Sequence, residues 1–226
     1  MYALYIANKN YSSWSLRPWV LLRELDIPFT EHLVPFSDDD SHRAAFAGFS
    51  PSGRVPCLHD GDTIVWDSLA IVEYVAERHK GVWPADAKAR AWARCAAAEM
   101  HSGFQTLREI CSMSCGIRVE LGDELPALRA DLARLTELWA DGSARFGGPF
   151  LAGPAFTAVD AFFAPVAFRI QTYGLVLAPA AAAYAERLRE LPAMWSWYTA
   201  ALAETWREAS HDRQIRGRVT ADLRAL

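Results

Sequence analysis

Residues 50–79 read SPSGRVPCLHDGDTIVWDSLAIVEYVAERH, and their punctuation decides the fold. Val55 to His59 is a short apolar-rich run that suits a strand. Asp60-Gly61 is a tight hairpin turn. Thr63 to Trp66 reads as the partner strand. Asp67-Ser68 then offers side-chain oxygens to the first amides of a helix. Leu69, Val72, Val75, Ala76 and His79 follow at helical spacing. The stretch is therefore strand, turn, strand, helix.

Working back toward the N-terminus, residues 2–7 (YALYIA) suit a buried strand. From Trp14 to Leu25 the apolar positions fall mostly three or four apart, with Pro18 in the first turn, where a missing N–H is tolerated. Pro28 pushes Ile27 out of the helical region and ends that helix. Phe29 to Val34 alternates as a second strand. Asp38, Asp39, Asp40 and Ser41 place negative charge and a cap before a short helix reaching about Gly48. The first 80 residues predict the order β-α-β-α-β-β-α.

Beyond a linker at 81–86 the pattern changes. No proline occurs between Pro84 and Pro126. Ala89, Trp92, Ala93, Ala96, Ala97, Met100, Phe104 and Leu107 form one long helical stripe, and Leu128, Leu132, Leu135 and Trp139 form another. Residues 157–173, 179–191 and 193–208 predict three further helices. The expected organisation is an α/β domain over 1–80 and an all-helical bundle over 87–226.

Composition narrows the function. The 226 residues are 52% hydrophobic and 22% charged, which is a globular balance with material for a sizeable core. A net charge of −4 with interspersed signs argues against a nucleic-acid partner and against a membrane surface. No apolar run is long enough for a transmembrane helix, and no secretory leader is visible at the N-terminus. Cys57, Cys95, Cys111 and Cys115 contain no CxxC pair and no zinc-finger partner, so they read as reduced thiols of a cytoplasmic protein, with no metal site.

The order and four local motifs resemble the cytosolic glutathione transferases. SSWSLRPWVLLRELDIPF at 12–29 is similar to the zeta-class SSCSxR pattern and its following helix. SPSGRVPCL at 50–58 resembles the family's NPxxxVPxL. DGDTIVWDSLAIVEYVAER at 60–78 resembles the family's hairpin, acidic-Ser step and helix. GPAFTAVDAFF at 153–163 is similar to its buried capping motif. The resemblance implies a thioredoxin-like domain (βαβ-α-ββα) followed by an all-α domain, glutathione as co-substrate without a metal, and a homodimer.

The chemistry the resemblance implies is a problem of thiol ionisation. A free thiol titrates near ~8.5, so lowering it by about two units needs roughly 2.7 kcal/mol of thiolate stabilisation. A helix N-terminus supplies about 0.3–1 kcal/mol, up to ~2 when partly buried. One hydrogen bond to a charged group supplies about 1.5–3 kcal/mol. A hydroxyl on the first turn of the first helix can contribute both. Read as residues alone, the serines 12, 13 and 15 are simply good caps. The zeta-like register implies Ser12 as the thiolate partner and Ser13 as its alternate at the same helix end. Trp14 stands where the zeta pattern has a small thiol, and departs from it beside the sulfur position.

The resemblance also implies a cis Val55-Pro56 bond that turns the Val55 backbone toward the glutathione peptide, with Arg54 flanking the glycine carboxylate. Asp67 and Ser68 would take the γ-glutamyl ammonium and carboxylate. His101, Phe104 and Arg108, with Trp14, would line the site of a small hydrophobic electrophile. Thr157 and Asp160 are expected to cap a helix and serve folding. Besides conjugation, a glutathione-dependent isomerase, a thiol-exchange enzyme or a non-catalytic binding protein of the same fold stays open.

Overall fold

The computed structural model describes residues 1–37, 41–122 and 126–225. β1 (Tyr2–Ile6) alternates buried and half-buried positions, with Leu4 and Ile6 sealed in the core. α1 (Ser13–Glu24) returns the chain to β2 (Phe29–Leu33), which lies parallel to β1 from Tyr2 opposite Phe29 to Ile6 opposite Leu33. α2 (His42–Ala47) follows; Asp38–Asp40, expected to precede it, lie outside the described residues.

β3 (Cys57–Asp60) runs antiparallel to β1, and β4 (Thr63–Trp66) closes the expected hairpin. Gly61 takes the left-handed conformation at its turn, with φ of 58°. The strand order is β2-β1-β3-β4. α3 (Ser68–Ala76) packs beside α1. β3 begins at Cys57 and not at Val55, so Val55 and Pro56 stand ahead of the ladder.

α4 (Ala87–Ser102) is capped by Asp86, whose carboxylate accepts from the Lys88 and Ala89 amides at 3.0 and 2.8 Å. The single long helix predicted through Leu107 is two helices. Gly103 is extended, Phe104 sits in the left-handed region at φ 55°, and α5 (Gln105–Ile110) starts afresh. A β-carbon on Gly103 would stand 2.8 Å from the Glu99 carbonyl, so glycine permits the break.

The chain then forms β5 (Ile117–Glu120), α6 (Pro126–Phe146), α7 (Ala158–Tyr173), α8 (Pro179–Glu190), α9 (Pro192–Ala203), α10 (Ala209–Arg213) and β6 (Arg218–Asp222). β5 and β6 pair as an antiparallel ribbon inside the helical domain, an addition to the expected bundle. α9 stops at Ala203, short of the predicted 208, because Glu204 turns extended and its carboxylate is engaged elsewhere. α7 is buried nearly all round and packs on α1, α4 and α8, as a central helix must. One apolar cluster joins both halves across α1 and α7. No helix among the described residues is long and apolar enough to cross a membrane.

Candidate functional site

The loop between β1 and α1 is held by the helical domain. The Lys9 and Asn10 amides donate to the two oxygens of Glu204 at 2.6 and 3.2 Å. The Lys9 carbonyl accepts from the Trp197 indole at 2.9 Å. The Asn10 side chain donates to the Ala201 carbonyl at 2.5 Å and accepts from the Gly116 amide at 3.1 Å. Burial raises the Glu204 pKa against these two amides. The start of α1 is thus fixed relative to α9 and β5. Nothing in local sequence patterning marked Lys9 and Asn10 for this role, because these partners lie more than a hundred positions away.

A cavity of about 1150 Å³ opens beside that helix start. Ser12, Ser13, Trp14, Arg54, Val55, His101 and Arg108, all expected from sequence, line it. Pro56, Asp67, Ser68 and Phe104 do not. Phe104 is buried in the core, as its position between α4 and α5 requires. Tyr11, the sequence's fallback to the serines, also lines the cavity, and sequence reading missed Phe36, Arg169 and His211 on its wall. The His211 ring stacks on both Tyr11 and Phe36, at 5.1 and 4.9 Å between centroids, so the C-terminal segment closes one side.

The serines differ in what remains available to a ligand. Ser12 is the N-cap of α1. Its hydroxyl donates to the Ser15 hydroxyl at 2.7 Å and accepts from the Ser15 amide at 3.4 Å. Ser15 is fully buried and accepts in turn from the Ala7 amide at 3.3 Å. Ser13, the first helical residue, is half-buried on the cavity wall, and its hydroxyl oxygen accepts from Arg169 at 3.4 Å. Its own proton has no acceptor in the structure's hydrogen bonds among the described residues. Ser13 therefore offers a donor at a helix N-terminus next to a guanidinium.

Two arginines flank Trp14, and a third lies beside Ser13. Arg17 is 1% exposed and its guanidinium carbon lies 4.2 Å from the Trp14 ring centroid; Arg108 lies 4.4 Å from the same ring. Arg169 is 4% exposed and donates to the Cys111 carbonyl at 2.7 Å. Arg17 Nε and Nη1 and Arg169 Nη1 are buried without a hydrogen-bond partner among the described residues. Burial, with the neighbouring guanidiniums, lowers all but Arg108 through charge as well as desolvation: Arg17 falls well below its ordinary value, and Arg169 falls to about 10. Burial alone lowers Arg108.

His101 meets Trp14 edge-on at 5.3 Å and approaches Asp67 at 3.5 Å through Nε2, while its Nδ1 is buried without a partner among the described residues. Its pKa is lowered, first by burial and then by Arg17 and Arg108, against the opposing charge of Asp67.

Val55-Pro56 is a cis peptide, and Val55 faces the cavity. Asp67 caps α3, accepting from the Leu69 and Ala70 amides at 2.8 and 3.4 Å, and holds a left-handed φ of 74°. Ser68 is 1% exposed, with its hydroxyl unpartnered among the described residues. No cysteine lines the cavity among the described residues, and burial pushes the Cys111 thiol up to about 12.

The helix start, cis-proline step and capped third helix define a thioredoxin-like domain joined to a helical one. Comparison with known proteins places that architecture. Residues 11–78 match the glutathione S-transferase N-terminal domain, and residues 119–205 match the glutathione S-transferase C-terminal domain. The two matches together take in more than half of the chain, which belongs to the glutathione S-transferase family.

Among its relatives is a dichloromethane dehalogenase of Methylorubrum extorquens, 44% identical over 59 residues, 26% of this chain and 20% of that protein. Glutathione S-transferase theta-1 of Mus musculus is 32% identical over 126 residues, 52% of this chain and 51% of the other. The matched stretches thus span from about a fifth to about half of the length of these relatives. A glutathione transferase homologue from Burkholderia, solved with bound glutathione, superimposes with a TM-score of 0.65 at 23% identity, covering 88% of this chain and 97% of that one. At that identity the likeness speaks for the fold.

Proposed function

We propose that this chain is a glutathione transferase that binds glutathione at the start of α1, holds its sulfur as a thiolate, and directs it at a small hydrophobic electrophile. The observation that carries the reading is Ser13. It stands on the cavity wall at a helix N-terminus, beside Arg169, with its own proton uncommitted among the described residues. The geometry favours Ser13 over Ser12 for the sulfur, because Ser12 donates its proton to Ser15. In the reaction the sulfur forms a bond to the electrophilic carbon and the leaving group departs with its electron pair. The thiol proton passes to solvent beforehand. Position and charge stabilisation are the protein's contribution.

Val55 would pair its backbone with the peptide of glutathione, flanked by Arg54. Ser68 supports a γ-glutamyl site at α3, since its buried hydroxyl lacks a partner among the described residues. Asp67 would accept from the ammonium. His101, Trp14 and Arg108 would meet the electrophile. The reading includes a division of the chain near 81–86, a cytoplasmic setting and a homodimer. Trp66 and Ile64, both exposed on the edge strand β4, supply apolar surface for the last. Thiol exchange is disfavoured, because no cysteine reaches the cavity among the described residues.

The test is calorimetric titration with glutathione, followed by mass spectrometry of the products with aryl and alkyl halides. Saturable binding and glutathione conjugates are expected. Absence of glutathione binding would overturn the reading.

A further inference from the structure

We propose that the electrophile position of this cavity accepts a second substrate carrying an anionic group, a carboxylate above all, held by Arg108 and Arg169 beside Ser13. This deepens the reading of the cavity as a glutathione site and rests on it.

The first ground is charge. Arg54, Arg108, Arg169 and Arg216 line the cavity, and Glu109 is the carboxylate residue that lines it beside them among the described residues. Glutathione with an ionised thiol carries a net charge of about −2 near neutral pH, which leaves positive charge uncompensated. Its peptide end belongs beside Val55 and Arg54. Arg108 and Arg169 lie instead beside Trp14 and Ser13, where the thiol meets its partner.

The second ground is desolvation. Arg17 and Arg169 are almost wholly buried, and neither forms an ion pair with a carboxylate among the described residues. Burying a guanidinium without a counter-charge is costly. Cation–π contact of Arg17 with Trp14 and Phe162, at 4.2 and 4.9 Å, offsets part of that cost but supplies no acceptor. Arg169 lines the cavity, and its buried Nη1 has no partner among the described residues. A planar carboxylate is the ligand that matches guanidinium donors in pairs. A wholly neutral electrophile would cover these donors and bring no acceptor.

The third ground is preorganisation. Arg108 is held by its bond to the His101 carbonyl at 3.1 Å and by the Trp14 ring, and Arg169 by the Cys111 carbonyl. Arg17 does not line the cavity. It lies behind Trp14 and adds positive potential at that wall.

The experiment is isothermal titration of the purified full chain with four ligands: glutathione, S-benzylglutathione, and the meta and para isomers of S-benzylglutathione carrying a carboxylate on the ring. One carboxybenzyl isomer is expected to bind about ten- to a hundredfold more tightly than the benzyl conjugate, the range of a hydrogen-bonded charge. Arg108→Gln should erase that preference, and Arg169→Lys should reduce it. Arg108 is only partly buried, and circular dichroism verifies that its variant is folded. If the benzyl conjugate binds and neither carboxylate adds affinity, the proposal is overturned while the glutathione reading stands. If Arg108→Gln weakens glutathione itself as much as the carboxybenzyl conjugate, the arginine serves the tripeptide and the proposal is overturned. If none of the ligands binds, the glutathione reading fails and takes the proposal with it.

Discussion

Two helix starts in this molecule carry the same kind of sequence and end in opposite states. At α7, Thr157 and Asp160 form a capping box whose acid is completely buried. Asp160 accepts from the Leu151 and Thr157 amides at 3.1 and 2.9 Å and from the Tyr184 hydroxyl at 2.8 Å. Both its oxygens are satisfied. At α1, the cap Ser12 is satisfied, but its surroundings hold donors with nothing to bind among the described residues: the proton of Ser13 and Arg169 Nη1 at the cavity, and Arg17 Nε and Nη1 behind Trp14. Closure marks a part built for folding. A half-satisfied buried network costs stability, and its persistence beside a cavity points to a ligand that completes it.

The largest effect is expected at the closed site. Asp160→Ala orphans two buried amides and a tyrosine hydroxyl, each worth about 1–3 kcal/mol when left unsatisfied. Loss of about 3–5 kcal/mol of unfolding free energy is expected by chemical denaturation, with turnover per folded molecule retained. Equal stability with lost turnover would move Asp160 into the active machinery and break the contrast.

The same residue should leave a mark in the pH dependence. Burial raises Asp160 from 3.8 to about 6, outweighing its four donors. A carboxyl held above its unfolded value binds its proton more tightly when folded. Its contribution is fully present below about pH 4 and is lost as pH rises through about 6. Denaturation curves across that window should show the loss, and Asp160→Asn should flatten it. A rise in stability from this residue over the same window would refute the assignment.

At the open site, removal should cost much less. Ser12→Ala removes a cap worth about 0.5–2 kcal/mol. The fall in unfolding free energy should stay within that range. Smallest of all, Arg17→Met replaces a buried, unpaired charge by an apolar side chain of similar length, so stability should hold or rise. A loss as large as that of Asp160→Ala would show that the arginine group is structural.

Much of this was legible in the sequence because it is local. The hairpin at Asp60-Gly61, the Asp67 cap and the Thr157/Asp160 box are set by residues within a few positions of one another, and each formed where expected. The break at Gly103-Phe104 was hidden because Met100 and Leu107 stay buried on either side, so the apolar period runs on through it. The β5–β6 ribbon pairs Ile117 with Asp222 across a hundred residues, beyond any window of periodicity. Arg169 reads as an ordinary polar position of a helix until α7 proves buried all round. The serine cluster stood out in the sequence, but not which hydroxyl is spent on the fold. That required the Ser12–Ser15 bond.

The central claim, that the open start of α1 is where a glutathione thiolate is held, is tested by titrating thiolate absorbance on the bound tripeptide. In the wild-type chain the bound thiol should ionise at least one unit below the free value of ~8.5. Ser13→Ala should move it back by about one to two units, the equivalent of a hydrogen bond of about 1.5–3 kcal/mol to a charged group. Ser12→Ala should leave it close to wild type. A wild-type thiol that ionises no lower than in water, or a shift caused by Ser12→Ala and not by Ser13→Ala, would contradict the account.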